Sequence, residues 1–330
     1  MHQARAERSL PVSREDAPSV SIGMPVYNGE RYLCGALDAL LAQTHTDFEL
    51  IICDNASTDT TPSICCEYAE RDTRIRYVRH DAPVSTTENF NRVLALASGE
   101  HFMWAAHDDS WEPRFIEVLR AALRTNSRAV LAFCKFDNWD PDGNTSAVFD
   151  DDWRGVFSAE KFAQFLGLAT RDESRTQKAN HFYGLIRRET LVACGGMHAS
   201  VSAYSGADVL TLLQLLARGD FVVVDQLLFH YRVRNSIPRG NQRLLQYLWS
   251  RIRGKAAGHR GNLLTHIRSD HDYYSAMRRI IWNEAPLSRV QRGAICAATL
   301  SRQFSRPLAS ISFALRKELL ASSKRRGTAV

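Results

Sequence analysis

From residue 20 to about 125, short apolar runs alternate with longer segments whose apolar positions recur every three or four residues. That alternation predicts strand and helix in turn. The first run, residues 20–24, is expected to stop at Pro25, which cannot donate to a central ladder. Leu33, Leu37, Leu40 and Leu41 then fall at helical spacing up to Gln43. Residues 48–53 form the second run, and the polar turn Asp54-Asn55-Ala56-Ser57-Thr58-Asp59 leads into a helix near residues 60–71. Pro62 is tolerated in the first turn of that helix. A short third strand is expected at 75–78. Phe90, Val93, Leu94 and Ala97 mark the next helical face, with Gly99 as its stop. Residues 101–105 form the fourth strand, and beyond Pro113 a helix carries Phe115, Val118, Leu119 and Ala122. Repeated strand–helix winding of this kind builds a parallel sheet with right-handed crossovers.

The second half is mixed. A strand is expected at 129–136, followed by the strong turn Asp140-Pro141-Asp142-Gly143-Asn144. A helix is expected over 158–168, with Ser158 as N-cap and Lys161 at the third position. Residues 169–180 are polar and charged and predict a mobile loop. A strand at 183–187 precedes a short helix ended by Gly195-Gly196. Asp208 opens a helix bearing Leu212, Leu213, Leu215 and Leu216, ended by Gly219. Two strands, 221–224 and 227–232, follow, and beyond Pro238 the chain is expected to be helical and basic. No internal repeat stands out.

A chain of 330 residues with 45% apolar residues can bury a full core, as one large domain or two smaller ones. No window approaches the roughly 18 apolar residues that a membrane span needs. The first 18 residues mix Arg5, Arg8 and Arg14 with Glu7, Glu15 and Asp16, unlike a secretory signal. Seven cysteines make an odd count without a Cys-x-x-Cys pair. This argues against a disulfide framework or zinc knuckle and fits a reducing cytosol. Charge changes the picture more. Residues 241–330 hold 17 Lys and Arg against 4 Asp and Glu, a net of +13, whereas the preceding 240 hold 25 against 32, a net of −7. The basic quarter points to an anionic surface partner, membrane lipid or nucleic acid.

Two of the apolar runs end in acid: residues 48–53 at Asp54, and the run through Trp104-Ala105-Ala106-His107 at Asp108-Asp109. Carboxylates are seldom buried without a partner, and parallel sheets bind ligands beyond the carboxyl ends of their strands. No Gly-x-Gly-x-x-Gly follows the first strand and there is no Gly-x-x-x-x-Gly-Lys loop. A nucleotide ligand would therefore need another neutralising group. A divalent cation held by one or two carboxylates suits that need, with Asp108 and Asp109 as its ligands. The alternative is that the Asp pair is a turn and helix cap before Pro113.

In order and spacing, five segments resemble the family 2 glycosyltransferases of the GT-A fold. They are Pro25-Val26-Tyr27-Asn28; Glu30 with Leu33, Leu37, Leu40 and Gln43-Thr44; Asp54 to Thr60; Ala106-His107-Asp108-Asp109; and Gly195-Gly196 with Ala207-Asp208. The resemblance covers roughly residues 20–235. It implies a Rossmann-like α/β domain, a mostly parallel sheet flanked by helices, and the composition beyond Pro238 adds a basic helical C-terminal extension. The expected layout is a flexible tail at 1–18, a nucleotide-sugar-binding half at 19–125, an acceptor-binding and catalytic half at 126–237, and the extension at 238–330.

The resemblance also implies roles. Pro25, Val26 and Tyr27 would line the base pocket with Glu30 nearby, and Asp54 would accept a hydrogen bond from the base or cap its own turn. Asn89 would touch the nucleotide or cap a helix. Asp108 matches the final acid of the family's Asp-x-Asp element and would bind Mg²⁺ or Mn²⁺, with His107 beside it and Asp109 either supporting that ligand from behind or facing the acceptor. Asp208 takes the place of the general base, with an ordinary N-cap as its alternative.

The departures are Ala106 for the first acid, Ala207 before the base, and Arg234 where many relatives carry a histidine. Arg234 could pair with phosphate directly, and His230 is a weaker substitute. The implied chemistry is a single inverting displacement from a nucleotide-sugar, UDP-linked first and dTDP- or GDP-linked next, onto a glycan or lipid-linked acceptor. The expected location is the cytoplasm, extending to the inner face of the cell membrane, where the basic quarter would meet anionic lipid and nucleic acid would not be a partner. Three rivals stand beside it: a nucleotidyltransferase on a similar sheet, a family member that has lost activity, and a nucleic-acid-binding protein using the basic C-terminus.

Overall fold

The computed structural model describes residues 17–149, 153–171, 177–199, 206–233 and 263–303. They group into two compact units, one drawn from 1–154, 180–198 and 218–232, the other from 155–179, 199–217 and 233–330. The first unit is built on one nine-stranded sheet in the order β3-β2-β1-β4-β8-β6-β9-β5, with β7 paired to β6 off that path. Strands β1 (Val20–Val26), β2 (Phe48–Asp54), β3 (Ile75–Arg79) and β4 (His101–Trp104) are mutually parallel neighbours. Strand β8 (Leu185–Arg187) runs antiparallel between β4 and β6 (Ala129–Trp139), and β9 (Asp220–Arg232) is parallel to β6. Strand β7 (Thr145–Phe149) returns from β6 through a turn in which Asp140 N–H donates to Asn144 O and Gly143 takes φ 90°. The two-residue β5 (Ser110–Trp111) closes the far edge against β9.

The helices lie where their apolar spacing demands. Helix α1 (Leu33–Leu41) buries Leu33, Ala36, Leu37 and Leu40, and α4 (Phe115–Thr125) buries Phe115, Ile116, Leu119 and Leu123. These side chains share one apolar cluster with Val20, Ile22, Met24 and Val26, the alternate side chains of β1. On the other side of β1, a Cβ at Gly23 would come within 2.7 Å of Phe102 and Val93, so α3 (Thr86–Leu96) sits close against the strand. Helix α2 (Thr61–Arg71) carries Pro62 in its first turn.

Several expectations need correction. Pro25 does not stop β1: the strand runs on to Val26, with Pro25 opposite Cys53. Val26 O accepts from Asn55 N–H on the β2 side, so Pro25 turns its nitrogen toward β4, whose registered pairing with β1 ends at Gly23 opposite Trp104. No ladder bond is lost there. Gly99 is not the helix stop, because α3 ends at Leu96 with Ala97 as its C-cap. Its smallness serves a close approach instead: a Cβ there would lie 2.7 Å from the main-chain nitrogen of Ser21. Ser158 ends a short helix, Trp153–Ser158, and the next helix, Lys161–Thr170, takes Glu160 as its N-cap. The stretch 169–180 is not simply a polar loop. Ala169 and Thr170 are helical, Gln177 is buried, and the buried Lys178 donates to Leu168 O at 2.6 Å and Arg171 O at 3.0 Å. Tyr183 closes a 3₁₀ turn, Lys178–Tyr183, leaving β8 only three residues. The strands expected at 221–224 and 227–232 are one strand, β9, whose register against β6 shifts around Lys135.

In the second unit the helix Ala207–Arg218 is apolar around most of its circumference and buries Val209, Leu210, Leu212, Leu213, Leu215 and Leu216. The 22-residue helix Leu263–Glu284 contributes Tyr274, Met277, Ile280 and Ile281 to that unit's interior, and a further helix spans 289–303. Among the described residues, no helix is long and apolar enough to cross a membrane.

Candidate functional site

The carboxyl ends of β1, β2 and β4 lie on one edge of the sheet, and the loops that follow them are stitched together. Asn28, with φ 50°, donates its N–H to Ser57 Oγ at 2.9 Å and accepts from Thr58 N–H at 2.9 Å. Gly29 N–H donates to Thr61 Oγ1 at 2.8 Å. The Glu30 carboxylate accepts from Thr60 N–H and Oγ1, while Glu30 N–H donates to Asp59. Tyr27 projects from this frame with half of its surface exposed, a ring at the strand end available to a flat ligand, whereas Val26 and Pro25 are buried beneath it.

Asp54 is fully buried at the end of β2 and fully engaged. Oδ1 accepts from Ser57 N–H at 2.8 Å, Oδ2 accepts from Tyr77 OH at 2.8 Å, and Arg79 Nε lies 3.5 Å away. It therefore caps its own turn and takes one hydrogen bond, from Tyr77, and one ion pair, with Arg79, from β3. Asn89 does not cap α3, because Ser85 does, accepting from Glu88 N–H. Asn89 is buried inside the helix, where its Nδ2 donates to Cys53 O at 3.0 Å and its Oδ1 lies 3.1 Å from His80 Nε2.

The acidic segment follows β4 on the same edge. Ala105 N–H donates to Gly23 O, and the His107 ring packs against the β1 loop closely enough that a Cβ at Gly29 would fall 2.7 Å from it. Asp108 and Asp109 are both buried. Asp109 Oδ1 accepts the main-chain N–H of Arg232 at 2.9 Å, and Asp108 O accepts Arg232 Nε at 2.8 Å. Among the described residues, no group of three or more His, Cys, Asp or Glu could enclose a metal ion. Mg²⁺ and Mn²⁺ bound with a diphosphate need no such cage, since one or two carboxylates and phosphate oxygens suffice. Asp108 carries a carboxylate of that kind at the strand edge, while Asp109 Oδ1 is taken up by the Arg232 N–H.

Asp208 belongs to the second unit and lies in the first turn of its helix, where Oδ1 accepts from Val209 N–H at 2.7 Å. Its residue surface retains some solvent access, yet the carboxyl is enclosed enough that burial raises its pKa. The Val209 hydrogen bond and the Lys178 ammonium pull the other way. Desolvation thus outweighs the stabilisation that a helix N-terminus gives an ionised carboxylate.

Arg234 and the residues beyond Pro238 up to 262 lie outside the described residues, as do 304–330. His230 is engaged elsewhere: Nδ1 lies 2.6 Å from Asp137 Oδ1 and Nε2 3.0 Å from Glu112 Oε1, with its ring stacked on Trp139. Sequence reasoning missed Tyr77, Ser57, Lys178 and Arg232. Tyr77 could have been found only from strand register, since it stands two residues before Arg79, the partner of Asp54.

A family model described as Glycosyl transferase family 2 matches residues 21–187. An uncharacterised glycosyltransferase of Rickettsia typhi is 30% identical over 146 residues, 44% of this chain and 44% of that protein. Glycosyltransferase GlyG of Streptococcus pneumoniae is 26% identical over 125 residues, 38% of this chain and 42% of that protein. The matches thus span less than half the length of these relatives. Among solved structures, S. aureus TarS 1–349 in complex with UDP-GlcNAc aligns with a TM-score of 0.62 at 18% identity, covering 87% of this chain and 73% of that one. The mannosyltransferase PcManGT from Pyrobaculum calidifontis, in complex with GDP-Man and Mn²⁺, aligns at 0.52 with 17% identity, covering 93% and 88%. These likenesses show the fold, a GT-A-type mostly parallel sheet flanked by helices. With the family match extending over half of its length, the chain belongs to glycosyl transferase family 2.

Proposed function

We propose that the protein is an inverting glycosyltransferase. It moves a sugar from a nucleoside-diphosphate donor, a UDP-sugar first and a dTDP- or GDP-sugar next, to a hydroxyl of a glycan or lipid-linked acceptor. The observation that carries this reading is the shared sheet edge, with Asp54 ending β2 and Asp108-Asp109 following β4 on either side of β1. The UDP-GlcNAc and GDP-Man held by structurally similar proteins support the donor class.

In this reading Pro25, Val26, Tyr27 and Glu30 form the base pocket, with Asp54 and Asn89 fixing its floor. Asp108, flanked by His107 and Asp109, would hold Mg²⁺ or Mn²⁺, which when bound supplies charge neutralisation to the diphosphate. Asp208 takes the proton from the acceptor hydroxyl as that oxygen attacks the anomeric carbon, and its raised pKa suits it to this role. Arg234 would add a cation near the leaving phosphates. The proposed layout keeps a tail at 1–18, a donor half at 19–125, an acceptor half at 126–237 and a basic extension at 238–330. The extension's net charge of +13 over residues 241–330 suits contact with an anionic membrane leaflet.

The test is turnover across a panel of nucleotide-sugars, read as donor hydrolysis or transfer, in wild type and two variants. Asp208→Asn is expected to keep donor affinity while turnover falls about 100-fold or more. Asp108→Asn is expected to lose the divalent-dependent part of diphosphate binding. Equal damage to donor binding from Asp208→Asn would make that residue structural. Turnover of nucleoside triphosphates in place of nucleotide-sugars would favour the nucleotidyltransferase reading.

A further inference from the structure

We infer that Arg232 is a positioning residue that fixes the Asp108-Asp109 segment in the orientation facing the donor diphosphate. It acts through that segment and not on the substrate, and the inference rests on the proposed role of Asp108.

Arg232 is the last residue of β9 and ties together four parts of the first unit. Its main-chain N–H donates to Asp109 Oδ1 at 2.9 Å, and its Nε donates to Asp108 O at 2.8 Å. Its Nη1 donates to Asp140 O at 3.1 Å and Pro141 O at 3.3 Å, in the β6–β7 turn. The guanidinium carbon lies 4.7 Å from the ring centroid of Tyr32, the residue before α1, and 5.5 Å from that of Trp139 on β6.

The side-chain bonds all end on main-chain oxygens, so the planar fork is matched to backbone position. The rings hold its plane, and rotating it would give up those contacts as well as the hydrogen bonds. Two adjacent carboxylates after a four-residue strand repel each other and need an external restraint. Asp109 receives it through its carboxylate and Asp108 through its main-chain oxygen, which leaves the Asp108 carboxylate with a defined direction. A lysine at 232 would keep the charge but could not donate in two fixed directions from a planar fork beside the two rings.

The test uses the full chain and measures four affinities: UDP and GDP, each with and without Mn²⁺, alongside uridine and guanosine as phosphate-free controls. In Arg232→Lys and Arg232→Gln we expect a cooperative unfolding transition and nucleoside affinity like wild type. The gain in diphosphate affinity brought by Mn²⁺ should fall about 10-fold or more, the usual effect of removing a group that orients a metal ligand. If Arg232 variants do not fold, Tyr32→Leu removes one ring and leaves the four hydrogen bonds, and a smaller loss of the same kind is expected. An unchanged Mn²⁺ gain, or a fall in nucleoside affinity that matches the fall for diphosphate, overturns the inference. Should Mn²⁺ bring no gain in wild type, or the same gain in Asp108→Asn, the role of Asp108 fails and this inference fails with it. A normal wild type and a disabled Asp108→Asn beside an unaffected Arg232→Lys would overturn the role of Arg232 alone.

Discussion

Burial raises the pKa of Asp208 against the pull of the Val209 N–H and the Lys178 ammonium. A carboxyl whose folded pKa lies above its unfolded value binds protons more tightly when folded. Its ionisation therefore disfavours the fold above the folded pKa, and the penalty fades as pH falls toward the ordinary value of 3.8. Asp208→Asn is accordingly expected to raise the melting temperature at pH 7, with the gain shrinking as pH is lowered. In the proposed role of Asp208 as base, wild-type turnover should fall on the acid side at a pH above the ordinary carboxylate range, because a base must be ionised to act. Melting curves of both proteins between pH 5 and pH 8 (roughly the range of maximal stability) check the first part. A lower melting temperature for Asp208→Asn at pH 7 would count against a desolvated carboxylate. On that proposal the same residue pulls stability and chemistry in opposite directions, as buried functional groups tend to do.

At the scale of elements, the close approach at Gly99 offers a clean test. A Cβ there meets main-chain atoms of Ser21 and Val20 at 2.7 and 2.8 Å, and β1 is held between β2 and β4 and cannot retreat. Gly99→Ala is expected to cost about 1–3 kcal/mol, the usual scale for overpacking, measured by denaturant unfolding. A cost within a few tenths would mean that the β1 edge yields. The strands and helices of the first 125 residues were legible because each buries a face at its own period, as with Leu33, Leu37 and Leu40 on α1. What escaped the sequence depends on neighbours that local pattern does not specify. Pro25 is harmless only because β4 ends early, and β9 reads as two strands because Asp225 and Gln226 interrupt its apolar run where its register shifts. Strand β5 is too short to leave a pattern. The acids at the strand ends were visible as abrupt polar stops, whereas Tyr77 and Arg232 meet partners far from them in sequence.

For the whole molecule, the division of charge predicts behaviour at a surface. The net of −7 over residues 1–240 and +13 beyond them suits a molecule that meets an anionic leaflet by one part only. Full-length protein is expected to sediment with anionic vesicles, less so as salt rises. Replacing Arg316, Lys317, Lys324, Arg325 and Arg326 with Glu should abolish this, and sedimentation indifferent to salt and lipid charge would refute it. The far pairing of β5 has a consequence of another kind, for the order in which the chain matures. Strands β1 to β4 can assemble from near neighbours as they are synthesised, with Asp54 already in its place. Asp109, however, is restrained by Arg232, 123 positions later in the chain, and β5 waits on β9 for its only partner in the sheet order. Contacts so distant in sequence form slowly. A nascent chain therefore carries the proposed nucleoside edge beside an acidic segment without its far anchor, and on the proposed role of Asp108 diphosphate binding should emerge only when β9 has docked.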